Sequence, residues 1–178
     1  MSSFQDTEEI AERIQKGLPG FTIHDVDGFR ATDRKIARVL SYFDERTGGK
    51  RLPSRTDISP RELTDLLPNV VMLTVVRDDA GAICDAVLTL MGTSVVEFYG
   101  EYSGRSIFEH PAPQVGERIM MSMRESERRR APVVGEAYQL SEEKNHLRVT
   151  ILYVPLEEES GQIERFFLLT QVRSNVSG

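Results

Sequence analysis

Apolar residues recur along this chain with two periods, and the order in which the periods change predicts its elements. From Thr32 onward, Ile36, Val39, Leu40 and Phe43 fall at i, i+3, i+4 and i+7, one face of an α-helix, and the stripe stops before Gly48 and Gly49. Residues 70–77 and 82–91 are rich in Val, Leu and Ile, and Asp78-Asp79-Ala80-Gly81 between them has the length and composition of a hairpin turn. In the second of these strands Cys84, Ala86, Leu88 and Leu90 share one face, Ile83, Asp85, Val87 and Thr89 the other; the first set makes the better inward face. Helical spacing returns over 114–130, with Val115, Ile119, Met120 and Met123 on one side, Glu117, Arg124 and Arg128 elsewhere, and Pro132 as the stop. Three more strands are predicted over 133–140, 146–154 and 163–172, with turns at Glu142-Glu143-Lys144-Asn145 and 157–161.

Two shorter pieces complete the pattern. Asp6 with Glu9 has the form of a capping box, Ile10 and Ile14 are one helical step apart, and Gly17 and Pro19 close a first short helix. Residues 21–30 have no sustained period and read as a connector. Ahead of the hairpin, Ser59 as cap, Pro60 at the first helical position and Glu62 reaching back predict a helix that carries Leu63, Leu66 and Leu67 and ends at Pro68. The sum is an α+β chain with a five-stranded antiparallel sheet, short helices on one face and an N-terminal helical extension. Its units are residues 1–50 (extension), 51–173 (sheet domain) and 174–178 (tail). The last strand is apolar on both faces, since Phe166, Leu168 and Val172 alternate with Phe167 and Leu169. A single helical layer would leave one row of large side chains in water, at about 25 cal/mol per Å². The helix with Ile36, Val39, Leu40 and Phe43 is the candidate cover, supplied by the same chain or by a twofold-related copy.

Literal residues sharpen this. Tyr42-Phe43 precede Leu52-Pro53-Ser54-Arg55 and Asp57-Ile58-Ser59-Pro60; Leu67-Pro68 follow, then Gly92-Thr93-Ser94-Val95-Val96-Glu97-Phe98-Tyr99-Gly100 with Ser103-Gly104-Arg105, and later Val154-Pro155-Leu156 with Gly161. Over residues 40–172 this set resembles a PAS-domain family common in alphaproteobacterial genomes, in a single-domain, stand-alone form. Relatives usually carry an arginine two or three residues before the glycine-threonine pair, and here Thr89 stands there. The resemblance implies a PAS fold of two strands, helices, then three strands. It also implies a non-enzymatic sensory or adaptor role in signal transduction, with a sensor kinase among the suggested partners and many relatives dimeric. No kinase, cyclase or DNA-binding segment follows the last strand, so output is expected to be delivered in trans.

Size and charge narrow the classes. At 178 residues, 39% hydrophobic and 28% charged, the chain has the composition of a soluble globular protein. Its formal charge of -6 disfavours nucleic-acid and anionic membrane surfaces. No apolar run nears the roughly 20 residues of a membrane helix, and the N-terminus lacks a signal-peptide pattern, so a cytoplasmic setting is expected. Cys84 is the single cysteine, which excludes an internal disulfide.

Candidate chemistry is sparse. His24, His110 and His146 lack metal-ligand spacing. Ser94 sits in Gly92-Thr93-Ser94-Val95-Val96, which lacks the second glycine of a nucleophile elbow. Cys84, on the expected inward face, reads as buried and unreactive. Arg128-Arg129-Arg130 follows Glu125 and Glu127 at a helix end, where cations complement the dipole; a contact with an acidic partner is the alternative. No phosphate-loop motif, flavin-adduct cysteine motif or haem-ligand histidine is present, which leaves any cofactor unknown. Phe98, Tyr99, Phe108, Met120, Met123, Tyr138 and Tyr153 border the space between sheet and helices, as core or as the walls of a small-ligand pocket into which tyrosine hydroxyls point. A competing reading is a small enzyme acting on an apolar substrate there, with Asp85, Glu97 or Glu109 as general base; a third is a ligand-free dimeric scaffold.

Overall fold

The last strand organises the molecule because both its faces are buried. In β6 (Ile163–Ser174) Phe166 and Leu168 point to one side of the sheet, Phe167 and Leu169 to the other, and none is more than 1% exposed. The structure, a computed structural model, describes residues 20–138, 144 and 146–174. The predicted helix over residues 6–17 lies outside them. Among the described residues the other strands are β1 (Phe21–His24), β2 (Val70–Arg77), β3 (Ile83–Met91), β4 (Val133–Ala137) and β5 (Leu147–Glu157). They form one antiparallel sheet in the order β1-β4-β5-β6-β2-β3.

The α+β antiparallel architecture is the expected one, with six strands in place of five. The extra strand is β1, taken from the sequence as connector; it pairs with β4 from Phe21 opposite Ala137 to His24 opposite Val134. Four residues alternate too briefly to show a period, and the partner lies more than 100 positions along the chain.

Helices cover both faces. α1 (Asp27–Thr32) leads into α2 (Arg34–Thr47), whose Ile36, Val39, Leu40 and Phe43 pack on Val134, Leu152, Val154, Leu156, Phe167 and Leu169 of the same chain. Residues 21–50 thus share a sheet and a core with residues 51–173. Asp33 caps α2 by accepting from the amides of Lys35 and Ile36, both at 3.0 Å. Its other oxygen accepts from Gln171 Nε2 and an Arg173 guanidinium nitrogen, each at 2.8 Å, which ties the helix to the end of β6. The opposite face carries α3 (Thr93–Tyr99), a 3₁₀ turn (Ile107–Glu109) and α4 (Pro113–Arg129), packed over Leu73, Val133, Tyr153, Phe166 and Leu168.

Several motif residues prove to be joints. The Tyr42 hydroxyl donates to the Asp57 carbonyl at 3.0 Å and accepts from the Ser59 amide at 2.7 Å. The Glu157 amide donates to the Pro53 carbonyl at 2.8 Å, joining this segment to the end of β5. Arg51 grips Asp57 with both nitrogens, at 2.8 and 3.0 Å, and holds its carboxyl down at about 2. Gly92 packs so close to the Leu67-Pro68 turn that a Cβ would lie 2.3 Å from the Pro68 carbonyl oxygen, so only glycine fits.

Two local expectations are corrected. Residues 55–69 form three short 3₁₀ turns, not an α-helix; Ser59 makes no side-chain cap, and Glu62 pairs with Arg46. Prolines at 60 and 68 confine the segment to single turns, which still bury Leu63 and Leu66. The face assignment of β3 is also wrong at both ends. Val76 pairs with Asp85 while Arg77 pairs with Ile83, and Met72 pairs with Leu90 while Leu73 pairs with Leu88, so Cys84 and Thr89 are skipped in the ladder. Each bulge reverses the alternation. Ile83, Ala86 and Leu88 are buried, whereas Cys84 and Leu90 are exposed.

Candidate functional site

Between the sheet and α3–α4 the packing is incomplete, leaving a cavity of about 200 Å³. The sheet supplies Phe21, Val71, Leu88, Gly135, Ala137, Val149, Ile151, Tyr153, Leu168 and Thr170. From the helical side come Val95, Phe98 and Tyr99 of α3, Tyr102, Ser106, Ile107 and His110 of the connection, and Gln114, Val115, Arg118 and Ile119 of α4. The last four fall at i, i+1, i+4 and i+5, one face of the helix. α4 comes close because Gly116 faces the 3₁₀ turn, where a Cβ would lie 2.6 Å from the Phe108 ring. Phe21 brings the short strand β1 into the wall, where its ring lies 6.0 Å from the Arg118 guanidinium.

The wall is apolar with a few polar groups, all neutral or cationic. Among the described residues no aspartate or glutamate lines it. Burial pushes the Tyr99 phenol up to about 12 and raises that of Tyr153 as well, so both remain uncharged hydrogen-bonding groups at neutral pH. His110 is held between two backbone groups: Nδ1 accepts from the Ala112 amide at 3.0 Å, which leaves Nε2 to donate to the Tyr99 carbonyl at 3.2 Å. Arg118 is half-buried, and its Nε is shielded from water without a hydrogen-bond partner. Desolvation lowers the basicity of its guanidinium. Lys144 also reaches the wall, with Nζ 4.3 Å from the centre of the Phe98 ring.

Of the seven residues singled out as pocket candidates, Phe98, Tyr99 and Tyr153 line the cavity. Met120 and Met123 are core beneath α4, and Phe108 is largely exposed on the outside of its turn. Tyr138 turns away, its hydroxyl donating to Glu136 Oε1 at 2.6 Å. Sequence reasoning passed over Phe21, Tyr102, His110 and Arg118. For Arg118 a signal exists: it stands three residues after Val115 and next to Ile119, a cation on the flank of an apolar stripe. The loop residues Tyr102 and His110 carry no such signal.

The three carboxylates considered as bases lie elsewhere. Glu97 and Glu109 are exposed, and Glu109 accepts from the Ser106 amide at 2.8 Å as part of a capping box. Asp85 accepts from the Ser106 hydroxyl at 2.7 Å. The basic cluster is spent locally: Arg128 and Arg129 pair with Glu125, and Arg130 with Glu157 at 3.1 Å.

A family model described as PAS domain matches residues 31–170. The chain belongs to the PAS domain family. Among solved structures, this PAS chain is similar to a light-oxygen-voltage domain studied with a flavin analogue, at 16% identity over 64% of this chain and 83% of that one, with a TM-score of 0.41. It is similar to the Aureochrome1 light-oxygen-voltage domain in its light state, at 13% identity over 64% and 88%, TM-score 0.40. A sensory box sensor histidine kinase from Vibrio cholerae shows 16% identity over 64% and 88%, TM-score 0.41. No curated protein matches the chain in sequence. Among the described residues no helix is long and apolar enough to cross a membrane.

Proposed function

We propose that this protein is a non-enzymatic PAS sensory module of the cytoplasm that binds a small molecule in the inner cavity and passes its occupancy to a signalling partner protein, such as a sensor kinase. The observation that carries this reading is the cavity itself, with its apolar wall, a few convergent polar groups and, among the described residues, no carboxylate. Against the enzyme reading, the carboxylates considered as bases, Asp85, Glu97 and Glu109, lie outside the wall, and His110 within it is held by the Ala112 amide and the Tyr99 carbonyl. The wall suits a guest smaller than a flavin. Cys84, the single cysteine, is on the exposed edge strand, and a cavity of about 150 Å³ already matches benzene, so about 200 Å³ is far too small for a tricyclic cofactor with a phosphate tail. Occupancy would be felt first by α3 and α4, which the wall joins. A homodimer would use surfaces other than Ile36, Val39, Leu40 and Phe43, which this chain's own sheet consumes.

Native mass spectrometry of protein purified from its host, with thermal-shift screening of metabolites, tests the reading. The expected result is a bound small molecule or a ligand-dependent rise in melting temperature, lost when Ala137→Leu fills the wall. A bare chain mass together with no response across the library would overturn it and leave a scaffold.

A further inference from the structure

Among the described residues the Arg118 guanidinium has no counter-ion. Other half-buried arginines meet an acid: Arg77 forks onto Glu127 at 3.0 and 3.1 Å, Arg46 pairs with Glu62, Arg165 pairs with Glu158, and Arg148, whose Nε is also unpaired, still lies 3.9 Å from Glu136. Arg118 makes no ion pair among the described residues, and its Nε is sealed from water unpaired. The acid that acts on it is Glu117, its exposed neighbour on α4, after the neutral phenols Tyr99 and Tyr153. Among the described residues of this protein of net charge -6, no carboxylate lines the wall around this cation. An unpaired cation in an apolar recess is costly unless something supplies its partner. The guanidinium fork matches a carboxylate, which takes two parallel N–H donors.

Size and polarity set the rest of the guest. A volume of about 200 Å³ exceeds the roughly 150 Å³ that holds benzene by only a few atoms. Val71, Leu88, Val149, Ile151 and Leu168 make one stretch of the wall wholly apolar, and a second charge placed against it would be buried without a partner. We propose that the cavity takes a small organic monocarboxylate with an aromatic or branched aliphatic body, of the size of benzoate or isovalerate, its carboxylate paired with Arg118. This rests on the reading of the cavity as a ligand site and names the class of ligand.

Isothermal titration of the full chain with benzoate, phenylacetate and isovalerate, beside the neutral isosteres benzamide and benzyl alcohol and inorganic phosphate, tests it. Wild type is expected to bind carboxylates more tightly than their neutral isosteres and phosphate not at all. Arg118→Met should weaken the carboxylates by about 10- to 100-fold while leaving benzyl alcohol unchanged or tighter. Arg118→Lys should fall between. Neutral isosteres binding wild type as tightly as carboxylates, or carboxylate affinity unchanged in Arg118→Met, would overturn the assignment and leave the sensory reading intact. Silence of all probes, with Ala137→Leu indistinguishable from wild type in the metabolite screen, would remove both. The wild-type contrast between benzoate and benzamide stands even if Arg118→Met fails to fold.

Discussion

Beneath α2 the sheet meets its cover side chain to side chain, with Phe43 edge-on to Phe167 at 5.4 Å between ring centres and Ile36 and Val39 wholly buried. Beneath α3 and α4 the same strands leave about 200 Å³ unfilled, and no residue of the α2-side cluster touches that space. The difference lies in what each helix brings. α2 offers a continuous stripe of large apolar residues, and the stripe fits the row formed by β4, β5 and β6. α4 offers Gln114, Val115, Arg118 and Ile119, and one of those four is a cation that a packed core cannot absorb. One face secures the fold, while the other is available for binding.

The largest effect should come from breaking the filled side. Phe43→Ala is expected to cost about 3–5 kcal/mol in chemical denaturation, with ligand affinity of the folded fraction unchanged. Comparable loss of affinity would mean that the faces are not independent. On the hollow side Ala137→Leu should shift stability by no more than about 1 kcal/mol, because the added atoms enter empty space; a loss as large as that of Phe43→Ala would show the cavity to be filled.

A third test uses pH on the strap beside α2. Asp57 is held down by the Arg51 guanidinium, with help from Ser54, to about 2 in the folded protein. Its contribution is therefore complete above the unfolded value near ~3.9 and is lost as pH falls toward about 2. Asp57→Asn should lower stability at pH 6 and flatten the decline between roughly pH 4 and 2, as read by melting temperature. An unchanged acid limb would show that the strap adds nothing. The smallest effect concerns the edge: a thiol reagent should label Cys84 in the native protein as fast as in urea, with stability unaltered. Labelling only on unfolding would restore the inward placement of that residue.

Much of the fold was legible because long elements repeat their period: the α2 stripe, the hairpin, α4 and the three last strands all stand close to their expected places. The doubly apolar last strand even announced the need for a second cover. What escaped has a common cause, since β1 takes its meaning from a partner far along the chain, and Cys84 and Leu90 changed sides through bulges that no local pattern marks. The motifs that singled out the family, from Tyr42 and Asp57 to the glycine at 92, turn out to be joints of the fold. They locate the chain among its relatives while leaving its ligand unnamed. The cavity wall was legible only in part, at Phe98, Tyr99 and Tyr153, because shape is a property of voids and sequence records only what fills space.

Pressurising crystals with xenon tests the contrast between the faces most directly, as apolar cavities take up the gas and close-packed cores do not. Density for xenon, or for a co-purified molecule in its place, is expected among Val71, Val149, Ile151 and Leu168, with none between α2 and the sheet. An empty, collapsed inner wall, or xenon beneath Phe43, would contradict the account.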